Sequence, residues 1–247
     1  MYLSKIFENF IRKNFYIYFL FISFYKKFPN LFPFLEKKKY LILANSNFHN
    51  ILDIGCNNFQ TMKIMYSINK NLNFYLFDPI IKNKKKIPKT KIFNFALSNK
   101  RGNKILFMPY HNGINLDSLN SFELKNILAY KNKYLKNLKL KIKKKKVKTV
   151  TIDSLNLKSD FIKLDVENHE YEVLKGGKKH LQKNKPVILL ENNKKIKKVS
   201  SFLSSINYKP YKILNRKFVK NFKLLGDDIF FFHNTTNIKK INLNYEV

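Results

Sequence analysis

Asp160-Phe-Ile-Lys-Leu-Asp-Val-Glu-Asn-His-Glu170 gathers four acids and a histidine in a chain with only 16 acids among 247 residues. The block reads as a buried strand running into a helix that continues through Tyr171, Val173, Leu174 and Leu181. Asp165 and Glu167 stand two apart, so on a strand they share one side. Ligands of open α/β sheets bind outside the carboxyl ends of the strands, and acids gathered there suit such a crevice. The same acids also suit a helix start as caps. Proton transfer asks for a group with a pKa near neutrality, which favours His169, with Glu167 and Asp165 as alternatives.

Three strand ends of this kind occur in order. Asn50-Ile-Leu-Asp-Ile-Gly-Cys-Asn57 is a short apolar strand, an acid and a glycine, followed by a helical run through Phe59, Met62, Met65 and Ile68. Glycine at such a turn allows close backbone approach to a ligand. Phe74-Tyr-Leu-Phe-Asp78-Pro79 is a second apolar strand ending in a carboxylate, placed to bind ribose hydroxyls. A dinucleotide site needs further glycines for a pyrophosphate, but Asn57 and Gln60 stand at those positions. The ligand that suits is adenosyl, phosphate-free and positively charged. S-adenosylmethionine has these properties, and Asp53, Asp78 and Asp165 would complement its charge.

Six motifs then occur in a recognisable order. They are Asp53-Ile-Gly-Cys-Asn57, Phe77-Asp78-Pro79, Asn94-Phe-Ala-Leu-Ser98 with Gly102, Thr151-Ile-Asp-Ser-Leu155, Asp160 to Gly176, and Pro186-Val-Ile-Leu-Leu-Glu191. From about Asn50 to His233 the chain resembles the FkbM family of S-adenosylmethionine-dependent methyltransferases. The resemblance implies a Rossmann-like class I α/β sheet, mostly parallel with an antiparallel last strand over 227–232, and helices on both faces. It implies O-methylation of a hydroxyl on a sugar, glycan or small metabolite. Asp53, Gly55 and Asn57 would shape the methionine side of the cofactor site, and Asp78 would hold the ribose. Ala96 and Leu97 would flank the adenine, Asp165 would line the centre, and Glu167 and His169 would handle acceptor and proton. Phe59 stands where the family has a second glycine, which predicts a tighter loop. Asn168 replaces the glycine before the histidine, and Asn tolerates the left-handed backbone such a turn needs.

The elements expected around these motifs are helices over 171–183 and 195–206, strands over 147–152 and 186–191, and a further segment over 208–214. Residues 1–46 read as an N-terminal helical extension, 47–235 as the methyltransferase domain and 236–247 as a tail. A lysine-rich insertion spans about 118–146, with Leu124, Leu128, Leu135 and Leu138 at near-helical spacing and a charge run over 141–148. The loop from His111 to Leu119 is placed to cover an acceptor pocket.

Composition bounds the partners. The net charge is +33, but Arg occurs only at 12, 101 and 216, and Lys, Asn, Ile, Phe and Tyr abound. That bias follows A/T-rich codons, whereas nucleic-acid surfaces favour the Arg fork. A small-molecule or glycan acceptor is therefore expected rather than nucleic acid; an RNA methyltransferase and a non-catalytic binding module are the alternative readings. Cys56 is the single cysteine, so no intrachain disulfide forms, and a reducing cytoplasm suits the chain. No metal site is expected, although Asp165, Glu167 and Glu191 are hard oxygen ligands of the kind magnesium uses. Residues 15–25 are apolar, too short to span a bilayer, and flanked by Arg12-Lys13 and Lys26-Lys27. They suit a helix docked on the domain or a peripheral membrane contact.

Overall fold

Asn50–Ile54 (β1), Asn73–Phe77 (β2) and Thr90–Phe93 (β3) are short runs of mostly apolar residues that pair in parallel. The helix Gln60–Ile68 (α1) links the first two. The computed structural model describes residues 39–44, 47–81, 88–214, 217–220, 228–238 and 241. The segments 15–25 and 28–34, Asp227, and the tail from 242 lie outside the described residues.

Ala96–Leu97 (β4), Gly102–His111 (β5), Ile114–Asn115 (β6) and, beyond the helix Leu124–Tyr134 (α2), Lys141–Val150 (β7) form a separate four-stranded sheet in the order β4-β7-β5-β6. The chain returns to the main sheet with Phe161–Leu164 (β8). Glu170–Lys175 (α3) and Lys178–Asn184 (α4) follow, then Val187–Leu190 (β9) and Ile196–Ser204 (α5). Tyr208–Leu214 (β10), Lys217–Val219 (β11) and Ile229–His233 (β12) complete it.

The main sheet runs β11-β10-β12-β9-β8-β1-β2-β3. Pairing is parallel from β3 to β9, while β12 lies antiparallel to both its neighbours. An antiparallel last strand was expected, and it is there. Each buried strand divides its side chains between two layers, because successive residues point to opposite faces. Ile51, Phe74, Phe161 and Leu189 meet Met62 and Met65 of α1 on one face. Leu52, Ile162, Leu164 and Ile188 meet Val173, Leu174, Val199 and Leu203 of α3 and α5 on the other. Tyr40, Ile42 and Leu43 are buried in the first layer. No helix among the described residues is long and apolar enough to cross a membrane.

Three expectations need correction. The motif Asn94–Ser98, which the family resemblance places on the third strand, lies beyond it: the third strand of the main sheet is 90–93, and Ala96 and Leu97 pair with Thr149 and Val150 of the second sheet. The charge run 141–148, expected to lead into a strand starting at 147, is itself most of a ten-residue strand, paired antiparallel with β5. The helix expected over 171–183 breaks at Gly176 and Gly177. A side chain at Gly176 would place its Cβ 2.0 Å from the Ser98 carbonyl oxygen, so the helix end sits flush against backbone. Phe59, standing where the family has a glycine, adopts a left-handed conformation (φ 62°) and buries its ring in the core. That conformation costs a non-glycine residue about 1–2 kcal/mol, which burial of the ring offsets.

Candidate active site

The carboxyl ends of β1, β2 and β8 open on one cavity. Gly55, Asn57, Asp78, Ala96, Leu97, Asp165, Glu167 and His169, expected from the sequence to work together, all line it. Asp53 does not. It lies beneath the cavity floor, fully buried, with no hydrogen bond to either carboxylate oxygen.

The turn after β1 is shaped by backbone bonds. Gly55 (φ 80°) donates its N–H to the Phe77 carbonyl at 2.8 Å. Asn57 (φ 42°) donates its N–H to Asp78 Oδ2 at 3.2 Å, and Ile80 donates to Asp78 Oδ1 at 2.7 Å. Asp78 is thereby fixed toward the cavity while each oxygen keeps a lone pair to offer. Cys56 packs in the core, and burial pushes its thiol well up, so it is a filler and no nucleophile.

After β8 the chain makes two successive left-handed residues, Glu167 (φ 51°) and Asn168 (φ 71°). Asn168 does supply the backbone that glycine would. Glu170 clamps this turn: its Oε1 accepts from the N–H groups of Val166 and Asn168, and its Oε2 from Asn193. Asp160, at the opposite end of β8, accepts from the N–H groups of His49 and Asn50 and serves the sheet alone.

His169 is buried, with Nε2 3.0 Å from Ser98 Oγ and its ring against Phe122. Burial first, then the charges of Lys104 and Lys195, hold its pKa down at about 3. At that value His169 stays neutral and is a weak base in place. Glu167 moves the other way: burial, then the charges of Asp165, Glu191 and Glu170, push it up to about 9.

Lys163 went unnoticed in the sequence. Its Nζ lies 3.2 Å from Asp165 Oδ2, 3.7 Å from Asp53 Oδ1 and 3.3 Å from the Gly55 carbonyl oxygen. Burial pushes Asp53 up to about 6 although Lys163 pulls it down. Asp165 is held low despite its desolvation, because Lys163 and a hydrogen bond with Glu191 outweigh that cost. A strap of residues 117–122 also borders the cavity. Backbone bonds join Ser121 to Phe107, Ser121 Oγ reaches the Glu167 carbonyl, and Glu123 pairs with Lys195 at 2.8 Å. Asp117 and Ser118 belong to the loop expected to cover the pocket, whereas His111 turns to the Lys139 carbonyl instead. Among the described residues no cluster of His, Cys, Asp or Glu is placed to hold a metal ion.

These acids set a pH dependence. Asp53, Asp78 and Glu167 all bind protons more tightly folded than unfolded. The stability they contribute is full at low pH and drains as pH rises through their folded values. Lys163 stays charged throughout that window. The ligand-free protein is therefore expected to melt at a lower temperature at pH 9 than at pH 6. Thermal melts across that range check it; a flat or rising profile contradicts the assignment.

Sheet, strap and acidic crevice together define a methyltransferase-like α/β fold with mixed sheets. The chain belongs to the FkbM family: the model of the Methyltransferase FkbM domain matches residues 28–210. Solved structures similar to it include the methyltransferase FkbM from Methylobacillus flagellatus KT, 11% identical with a TM-score of 0.47, covering 75% of this chain and 43% of that one. This chain thus spans less than half the length of that protein. Another is precorrin-6y C5,15-methyltransferase from Geobacter metallireducens GS-15, 11% identical with a TM-score of 0.35, covering 79% of this chain and 85% of that one. No curated protein matches the chain significantly.

Proposed function

We propose that the protein is an S-adenosylmethionine-dependent O-methyltransferase built on a Rossmann-like class I sheet, acting on a hydroxyl of a sugar, glycan or small metabolite. One observation carries this reading: Asp78, at the end of β2, and Asp165 and Glu167, both after β8, line one cavity. The residues present suit the cofactor. Burial holds Asp78 and Glu167 above their usual range, and a cation placed beside them would favour their ionised forms. When bound, S-adenosylmethionine supplies a methyl group on a sulfonium.

The chain's own groups divide the remaining work. Asp78 keeps acceptor lone pairs for ribose hydroxyls, and Ala96 and Leu97 give an apolar wall for the adenine. Gly55 and Asn57 shape the methionine side. Glu167, ionised once the cofactor's positive charge stands beside it, would be the group to take the acceptor's hydroxyl proton. His169 positions the strap and the turn through Phe122 and Ser98. Residues 117–122 line the acceptor side, where they would help hold the acceptor in line. Phe59 leaves the glycine-like turn intact, which favours a working enzyme over a degenerate binding module.

Methyl transfer from labelled cofactor into a lysate fractionated into glycans, lipids, small metabolites and RNA tests the reading. Label in small metabolites or glycans supports it; label confined to RNA, or none, refutes it. Cofactor binding is also expected to release protons, since the cation favours ionised carboxylates. Affinity should then tighten from pH 6 toward pH 9, by up to about tenfold per unit for each proton released. Calorimetry in buffers of different ionisation enthalpy measures this; heat that does not vary with buffer speaks against it. Asp78→Ala is expected to lose most of the thermal stabilisation given by excess cofactor. Undiminished stabilisation would remove Asp78 from the ribose site.

A further inference from the structure

The ribbon of β5, β6 and β7 has two faces with different duties. Leu106, Met108 and Val147 are buried on one, where Leu106 lines the cavity and Phe122 packs. The alternate positions Asn103, Ile105 and Phe107 form the outward face. The register places Ile105 opposite Lys146, Phe107 opposite Lys144, Asn103 opposite Lys148 and His111 opposite Ile114. Directly paired residues share a face, so Ile105, Phe107, Lys144, Lys146 and Lys148 project together, and Ile114 lies further along the same side, opposite His111 and beyond the buried Pro109. Ile105 and Ile114 are 43% and 48% exposed, two of the four exposed large apolar side chains among the described residues. The three lysines are exposed, and neither β5 nor β7 contains an acid.

A lysine-edged strand can simply guard a sheet edge against pairing. That duty needs charge but no exposed isoleucines. Single-stranded nucleic acid would want open aromatic faces for stacking, yet the Phe107 ring is covered by Lys144, 6.0 Å from its centre. Apolar side chains set among lysines are the composition of a surface that rests on anionic headgroups and dips into the acyl boundary. We propose that the outward face of the β5–β6–β7 ribbon docks this protein on an anionic lipid bilayer. Lys144, Lys146 and Lys148 meet the headgroups, and Ile105 and Ile114 enter the interface.

The test uses the full chain and co-sedimentation with vesicles, either pure phosphatidylcholine or containing about one-third phosphatidylglycerol. Binding is expected only to the anionic vesicles. A Lys144→Gln/Lys146→Gln/Lys148→Gln variant should bind about a hundredfold more weakly. A matched variant, Lys178→Gln/Lys179→Gln/Lys183→Gln on α4, loses the same charge and should keep its affinity within about threefold. Ile105→Ser/Ile114→Ser should bind roughly tenfold more weakly with no change in charge. Unchanged melting temperatures confirm that the variants fold. Equal loss in the two lysine variants would reduce the effect to net charge and overturn the proposal. So would full affinity in the isoleucine variant, no binding to anionic vesicles, or polyuridylate displacing the protein from vesicles while showing the same lysine dependence. None of these outcomes depends on methyl transfer, so failure here leaves the proposed activity untouched.

Discussion

Replacing Lys163 by methionine is expected to destabilise the protein by about 3–5 kcal/mol, the cost of removing one partner from a buried ion pair. Lys163 faces Asp53 in register across the paired strands β8 and β1. Asp53 is fully buried, and Lys163 is the nearest cation, 3.7 Å away. Without it Asp53 must take up a proton or stay charged in an apolar layer, and Asp165 loses its 3.2 Å partner. A domain of this size shifts its melting temperature by about 2–4 °C per kcal/mol, so a drop of roughly 10 °C follows. The double variant Asp53→Asn/Lys163→Met removes the stranded charge and should recover more than half of the loss, a coupling that a double-mutant cycle measures directly. A drop of less than about 3 °C in the single variant would mean that Asp53 is neutral in the native protein and Lys163 merely fills space.

What the sequence revealed and what it hid follow from local and distant causes. β1, β2, β8 and β9 are apolar runs that end at Asp or Glu beside a turn, so each announces itself without reference to its neighbours. The acids of the crevice were legible for the same reason. Lys163 was not, because a lysine inside a strand reads as an outward residue until a buried Asp is found opposite it. β7 was hidden more completely. Six of its ten residues are lysines, which leaves no alternation to detect, and its apolar complement, Leu106 and Met108, lies far back in the chain on β5. Its lysines lie over aromatic rings of the partner strand, as Lys143 does over Tyr110 at 4.4 Å. The low pKa of His169 depends on burial beneath Phe122, which the strap brings from 47 positions earlier in the sequence.

Gly55→Ala is the second large effect, and its reason differs from the one the sequence suggested. A glycine between β1 and α1 reads as room for a ligand. Here the near neighbour is the protein itself: a Cβ at Gly55 would lie 1.8 Å from the Asp165 carbonyl oxygen and 2.9 Å from its carbon. Both are backbone atoms, so no side chain can turn aside. Relief requires the ends of β1 and β8 to part by more than an ångström. That would break the 3.0 Å bond from the Asp165 N–H to the Ile54 carbonyl and pull Asp165 away from Lys163. The left-handed backbone (φ 80°) adds its own cost, about 1–2 kcal/mol for any residue with a Cβ. The sum is expected to exceed 3 kcal/mol, with cofactor binding lost in whatever protein still folds. Gly113→Ala separates the two causes. Gly113 has nearly the same backbone (φ 79°) but no atom within 4 Å of the added methyl group, so it should show the conformational cost alone. Denaturant unfolding of the two variants side by side measures the difference. Equal losses would show that the approach of Asp165 to Gly55 is free to relax, and that the floor of the crevice does not depend on it.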